Sequence, residues 1–398
     1  MKGTYDNYGF HNDGQATAYQ LNQYVQKAKS LIKLNCQEEA MMILLDIIRE
    51  IGEDYEEYND HDGDLGSVCQ DTVGLVVEMI ETGLPDDILS NVTEEINELI
   101  KNSNYANYDL GDLNQIVFSI SQKAANFDNG IRIFDEALKI EPDSFRSASL
   151  VKSKLKLLQS ADKKEEIEKV ISDYLYLPEI RKIRLKELTS EKQYEKALAM
   201  IDEGITLAQK KGHSGTVTDW KDEALSVYML MENPEKVIEL AEDLFVTGRD
   251  RMKYYRALKN FTPSEKWADY LDNVLFKSIK QKAWGFGDVL AKIYIAEEYW
   301  DRLMDYVEKN IQFGGYNSLK AYEPYLKSRY PERMLAFYRK QITEYAAKNM
   351  GRGHYKYVAD VLKTMKQYPD GDKVANTLLA YFKSVYSSRR AMMEELRK

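Results

Sequence analysis

The chain of 398 residues is long enough for two or three globular domains, or for one elongated array of repeats. No apolar run reaches the roughly 18–20 residues that span a bilayer. The opening residues MKGTYDNYGFHNDGQA hold no apolar leader core, and two cysteines, Cys36 and Cys69, cannot frame a disulfide-stapled fold. A membrane-spanning helix and a disulfide-built secreted domain are thereby excluded, and the cytoplasm is the expected compartment.

The net charge of −10 conceals an asymmetry: residues 1–110 hold 22 acidic against 6 basic side chains, and the remainder 43 against 49. An acidic first third repels phosphate backbones. It reads as a solvated face or as a docking surface for a basic partner.

Taken along the chain, the first unit with helical periodicity is NCQEEAMMILLDIIREI (35–51). Asn35 and Glu38 have capping-box spacing, and Ala40, Ile43, Leu44, Ile47, Ile48 and Ile51 share one helix face. YNDHDGDLG (58–66) then sets Asp60, Asp62 and Asp64 on alternate positions. These aspartates are a candidate calcium site, because calcium loops take oxygen ligands from alternating residues. With Asp60 in the first position, however, Leu65 replaces the glycine required at the sixth and Asp71 the glutamate at the twelfth. The competing expectation is a turn, with Asp62 or Asp64 capping the helix that carries Val68, Thr72, Leu75 and Val76.

NFDNGIRIFDEALKIEP (126–142) and QYEKALAMIDEGITLAQKKG (193–212) carry the same kind of face and end at Pro142 and Gly212. In NPEKVIELAEDLFVTG (233–248), Asn233 is an N-cap, Pro234 fits the first helical position, and Gly248 offers a left-handed stop. TPSEKWADYLDNVLF (262–276) gives Thr262 and Glu265 capping-box spacing ahead of Trp267, Leu271, Val274 and Leu275. Further helical units cover 297–311, 329–346 and 354–368. Helix starts marked by Glu195, Glu235, Glu265, Asp301 and Glu332 recur at intervals that suit one helical hairpin per repeat.

No strand-period run of useful length is present. The expected fold is all-α, a right-handed α-solenoid of helix-turn-helix, tetratricopeptide-like repeats, each hairpin burying its two apolar faces against its neighbours. The charged run SADKKEEIEK (160–169) divides it into an acidic helical array over 1–160 and tetratricopeptide-like repeats over 161–398, the array continuing across the division.

LYLPEIRKIRLKELTSEKQYEKALAMIDEGITLAQKKGHSG (175–215) resembles the helical region that follows the finger in bacterial SWIM-type zinc-finger proteins. Residues 9–48 with DHDGDLG, residues 322–342 with 351–368, and the ending FKSVYSSRRAMMEELRK (382–398) resemble successive parts of that region in order. The resemblance implies a helical-repeat protein that keeps company with nucleic acid. The finger itself, Cys-x-Cys followed by Cys-x-His around tetrahedral zinc, is absent: Cys36 and Cys69 lie far apart and in neither pattern.

Other chemistry is sparse. His11, His61, His213 and His354 are scattered without metal-ligand spacing. AWGFGDV (283–289) and GRG (351–353) lack the spacing of phosphate loops, so no cofactor is expected. GRDRMKYYRALKN (248–260) is the nucleic-acid candidate, with Arg249, Arg251, Lys253, Arg256 and Lys259 for phosphates and Tyr254 or Tyr255 for base stacking. Met252, Tyr255, Leu258 and Lys259 also share one helix side, which reads as a core face. The 29 tyrosines suit seams between repeats, where the ring packs and the hydroxyl finds a partner.

The leading expectation is a non-enzymatic scaffold for protein partners without membrane contact. A nucleic-acid-associated accessory protein related to SWIM zinc-finger proteins comes second, and a calcium- or metal-dependent enzyme using the acidic loop 60–64 third.

Overall fold

The computed structural model describes residues 3–6, 9–102, 104–107, 112–140, 146–281, 288–311 and 316–397. The fold is all-α apart from a small ribbon, and the chain separates into two compact units, Met1–Val227 and Tyr228–Lys398. The division expected near residue 160 falls inside the first unit, at a turn between two of its helices.

The first unit opens with β1 (Gly3–Asp6) antiparallel to β2 (Gly9–Asp13), and β2 pairs in parallel with β3 (Tyr58–Asn59), Asn12 lying opposite Tyr58. No strand was expected here, because pieces this short show no alternation and β3 comes from a distant part of the chain. Gly14 follows at once: a Cβ there would stand 2.4 Å from the Asn59 carbonyl oxygen, so only glycine lets the first helix start against β3.

Helices α1 (Gly14–Lys33), α2 (Gln37–Asp54), α3 (Asp64–Thr82), α4 (Asp86–Leu99), α5 (Asn104–Asn107) and α6 (Leu113–Lys123) come next. They are followed by α7 (Phe127–Ile140), α8 (Ser147–Ser160), α9 (Lys164–Asp173), α10 (Pro178–Ser190), α11 (Tyr194–Lys210) and α12 (Ser214–Leu230). Each packs on helices close to it in sequence: α1 on α2 and α3, α6 on α7 and α8, α8 on α9 and α10. This near-neighbour pattern is that of a repeat array, in which a hairpin buries both faces only between its neighbours. The core runs through Leu44, Ile48, Val76, Ile96, Ile116, Phe134, Val151, Leu157 and Ile180, all buried.

The second unit contains α13 (Pro234–Thr247), α14 (Arg251–Phe261), and α15 (Ser264–Tyr270), which passes through a π-helical turn (Leu271–Leu275) into α16 (Phe276–Gln281). After it come α17 (Val289–Ala296), α18 (Trp300–Asn310), α19 (Tyr316–Leu326), α20 (Pro331–Lys348), α21 (Arg352–Met365), α22 (Gly371–Val385) and α23 (Arg390–Glu395). Packing is again local, α13 on α14, α17 on α18, and α20 on both α21 and α22. Tyrosine fills the seams as expected: Tyr306 meets Tyr322 and Tyr338 meets Tyr368 edge to face. Between helices, the Tyr270 hydroxyl donates to Glu242 at 2.6 Å and that of Tyr368 to Glu323.

One turn recurs seven times among the described residues. Asn35, Ala125, Asp162, Lys192, Gly212, Glu232 and Glu298 each take the left-handed conformation, with φ from 48° to 70°. In every case the next residue's N–H reaches back five residues to a helix carbonyl, and the left-handed residue's own N–H reaches back three, at 2.8–3.2 Å. This is the Schellman closure, which satisfies carbonyls a helix end would leave unpaired. Six of the seven are followed three residues on by an acid, namely Glu38, Asp128, Glu165, Glu195, Glu235 and Asp301. Each acid is the second residue of the next helix, where free amides favour negative charge.

Several cap assignments are corrected. Asn35 occupies the left-handed position, so Cys36 becomes the N-cap of α2 and no Asn35–Glu38 capping box forms. Pro263, not Thr262, is the N-cap of α15, and it cannot reach an amide with a side chain. Asn233 does cap α13, accepting from the Lys236 N–H at 3.1 Å, with Pro234 first in the helix. Gly248 is extended (φ −83°) rather than left-handed. It is glycine because the Tyr254 ring lies over it, leaving 2.5 Å between a built Cβ and Cε2. Pro142 lies outside the described residues.

Candidate functional site

The acidic turn is built around Asp60. Its carboxylate accepts from the N–H groups of Leu65 (3.1 Å) and Gly66 (3.3 Å) and from the Tyr55 hydroxyl (3.0 Å). The residue that caps α3 is therefore Asp60, not Asp62 or Asp64, with Gly63 left-handed (φ 74°) between them. Both oxygens of the aspartate offered as first calcium ligand are thus engaged by the helix it precedes. Asp62 is exposed and Asp64 opens the first turn of α3.

Among the described residues, no three or more His, Cys, Asp and Glu side chains stand together as metal ligands would. His61, His213 and His354 are exposed, and His354 Nδ1 lies 2.7 Å from the Tyr345 hydroxyl. His11 sits in β2 opposite Thr4. Cys69 is buried, and burial pushes its thiol up to about 12, so it stays protonated and inert. Of AWGFGDV, residues 283–287 lie outside the described residues.

The basic-aromatic stretch forms α14 and its approach, and its two rings point inward. Tyr254 and Tyr255 are buried, so neither can stack on a base. Lys253 lies over the Tyr254 ring at 5.9 Å, and Lys259 pairs with Glu297 at 2.9 Å. Arg249 and Arg256 are exposed and Arg251 is half-buried. The structure thus keeps cations here but removes the aromatic half of the expected interface.

What the sequence did not announce is the carboxylate that receives this helix. Glu297, in the turn between α17 and α18, accepts from the Tyr255 hydroxyl, from Trp267 Nε1 (3.0 Å) and from Lys259. Burial alone would push its carboxyl up; the three donors instead hold it below the usual carboxylate range. Glu297 ties α14 and α15 to the α17–α18 hairpin, a structural role.

A groove in the second unit has the form of a binding site. It runs between α20 and α22 as two adjoining hollows of about 620 and about 500 Å³. Arg339, Thr343 and Val374 line both, so the hollows form one trough. Leu335 and Leu378 are buried in its floor, and Tyr381 stands 44% exposed at one end, with Val385, 51% exposed, a turn further along α22. Glu332 and Asp370 gather at the mouth formed by the starts of the two helices, and Glu344 stands on the flank one turn beyond Lys340. Arg339, Lys340 and Lys373 rise beside the floor and make no ion pair among the described residues. On the same helix Arg333 engages both Asp305 and Glu308 at 2.6 Å. The sequence hid this groove because Arg339 and Lys373 are far apart in the chain. The available signal was Tyr381, an aromatic residue off the buried stripe of Leu378 and Phe382.

These features define an all-α protein of packed helical hairpins with a surface trough in its second unit. No family model and no curated protein matches the chain. Among solved structures, it is similar to a protein described as "Circular tandem repeat protein with novel repeat topology and enhanced subunit contact surfaces". That similarity covers 95% of this chain and 87% of the other at 13% identity, with a TM-score of 0.21, too low to bear on function. No helix among the described residues is long and apolar enough to cross a membrane.

Proposed function

We propose that this chain is a non-enzymatic helical-repeat scaffold that receives an extended segment of a partner protein in the α20–α22 groove. The observation that carries this reading is the continuity of the trough: two hollows share Arg339, Thr343 and Val374 over a floor of Leu335 and Leu378. Peptide recognition by helical surfaces uses such apolar grooves, with side-chain anchors fixing register. Kinship with the helical region of SWIM-type proteins is part of the same proposal. An in-frame Cys-x-Cys and Cys-x-His segment in the upstream coding DNA would support it.

The test is site-specific photo-crosslinking in the source cell, with a benzophenone amino acid replacing the exposed Thr377 in the groove or the exposed Arg256 outside it. A discrete adduct from position 377 that position 256 does not give is the expected result. Identical patterns from both positions, or none from 377, would overturn the reading.

A further inference from the structure

Resting on that reading, we infer that the segment bound in the groove is acidic, presenting a carboxylate to Arg339 and Lys373 beside an aliphatic or aromatic anchor seated at Leu378 and Tyr381. The charge arrangement selects this occupant. In the hollow lined by Arg339, Thr343, Lys373, Val374, Thr377, Leu378 and Tyr381 there is no acidic side chain at all. Its two cations are exposed and line the same hollow as the buried Leu378, so a carboxylate between them meets two positive charges and no negative one. Arg339 can present a planar two-pronged donor face to a carboxylate, and Lys373 a point charge. Three other arginines of the second unit already have carboxylates: Arg302 has Asp272, Arg333 has Asp305 and Glu308, and Arg352 has Glu394 and Glu395.

The larger hollow is mixed in charge, with Arg339, Lys340 and Glu344 along α20 and two further acids at its mouth. Glu332 and Asp370 at the mouth would repel a second acid and favour a basic or polar residue there, which fixes the direction of the bound segment. From Pro331 to Thr343 the helix rises about 18 Å. That length accommodates about five or six extended residues.

The experiment selects displayed random peptides of about that length on the immobilised full chain, then measures the winners by fluorescence anisotropy. Wild type is compared with Arg339→Glu, Lys373→Glu and, for the floor, Leu378→Asp, with far-UV circular dichroism confirming that each variant is folded. Expected are winners that carry an acid next to an aliphatic or aromatic residue. Their affinity should fall about tenfold or more in either charge reversal and weaken as salt rises. Should Leu378→Asp fail to fold, Tyr381→Ala replaces it, since its side chain is exposed. Winners without acids that are lost with Leu378→Asp or Tyr381→Ala would overturn the acidic partner while leaving the scaffold reading intact. Winners indifferent to all the variants would overturn both. Dimerisation of the chain abolished by Arg339→Glu would overturn the inference in favour of a second copy.

Discussion

Replacing Ala125 with glycine is expected to stabilise the first unit, whereas the same change at its neighbour Ala124 is expected to destabilise it. Ala125 has φ 48° in the turn between α6 and α7, while Ala124 has φ −79° and ψ −5°, a helical conformation. Both residues are exposed, so packing contributes little to either change. A residue with a Cβ in the left-handed region is disfavoured by about 1–2 kcal/mol. Glycine removes that cost but adds about 0.4–1 kcal/mol of unfolded-state entropy. The net for Ala125→Gly is a gain of about 0.5–1 kcal/mol; Ala124→Gly has only the entropic cost and loses about as much. Urea unfolding followed by far-UV circular dichroism resolves the difference, because about 1 kcal/mol shifts the midpoint by about 0.3–1 M. If Ala125→Gly is no more stable than Ala124→Gly, the turn does not impose a left-handed residue and the account of the seven turns fails.

Glu297→Gln should cost about 2 kcal/mol, because it removes the ion pair with Lys259 and weakens two further hydrogen bonds to a charged acceptor. Since its carboxyl is depressed in the folded state, wild-type stability from this group is complete above the ordinary value of 4.5 and is lost as pH falls through the lower folded value. The variant's stability should therefore fall less steeply over that acid window, as thermal melts at a series of pH values would show. Asp60→Ala should cost about 1 kcal/mol through the lost cap of α3, and the melting temperature of the wild type should not move with millimolar calcium. A calcium-dependent rise would reinstate the metal site. Under native conditions a disulfide reagent should titrate the half-buried Cys36 but not Cys69, whose thiol is pushed up to about 12; in denaturant both should react.

Much of the helical framework was legible because its signals are local. The acids Glu195, Glu235, Glu265, Asp301 and Glu332 each prove to be the second residue of a helix, where carboxylates meet unpaired amides. Asn233 and Pro234 worked for the same reason; of the apolar face Val237, Leu240, Ala241, Leu244 and Phe245 that follows them, all are buried except the half-buried Leu240. What failed depended on distant or purely geometric facts. Left-handed turns are signalled by glycine, yet six of the seven here hold other residues, so Asn35 passed for a cap. Tyr254 looked like a stacking ring and is buried, whereas Tyr255 and Leu258 lie in the core as their shared helix side indicated; the sequence does not show that Glu297, from another hairpin, receives the Tyr255 hydroxyl. The groove needs α20 and α22 side by side, and neither helix alone distinguishes Arg339 or Lys373 from any other solvated cation.

The seven alike turns have a consequence for how such a chain can change length. Each is closed by hydrogen bonds to the helix before it, whatever residue stands at the bend, so any two of them are equivalent junctions. Excising residues 163–192, which hold α9 and α10, would bring the turn at Asp162 directly to the start of α11 without calling for any backbone conformation the protein does not already use. Arrays of this kind can grow or shrink by whole hairpins, with the junction geometry inherited intact and only the newly opposed helix faces left to be refitted.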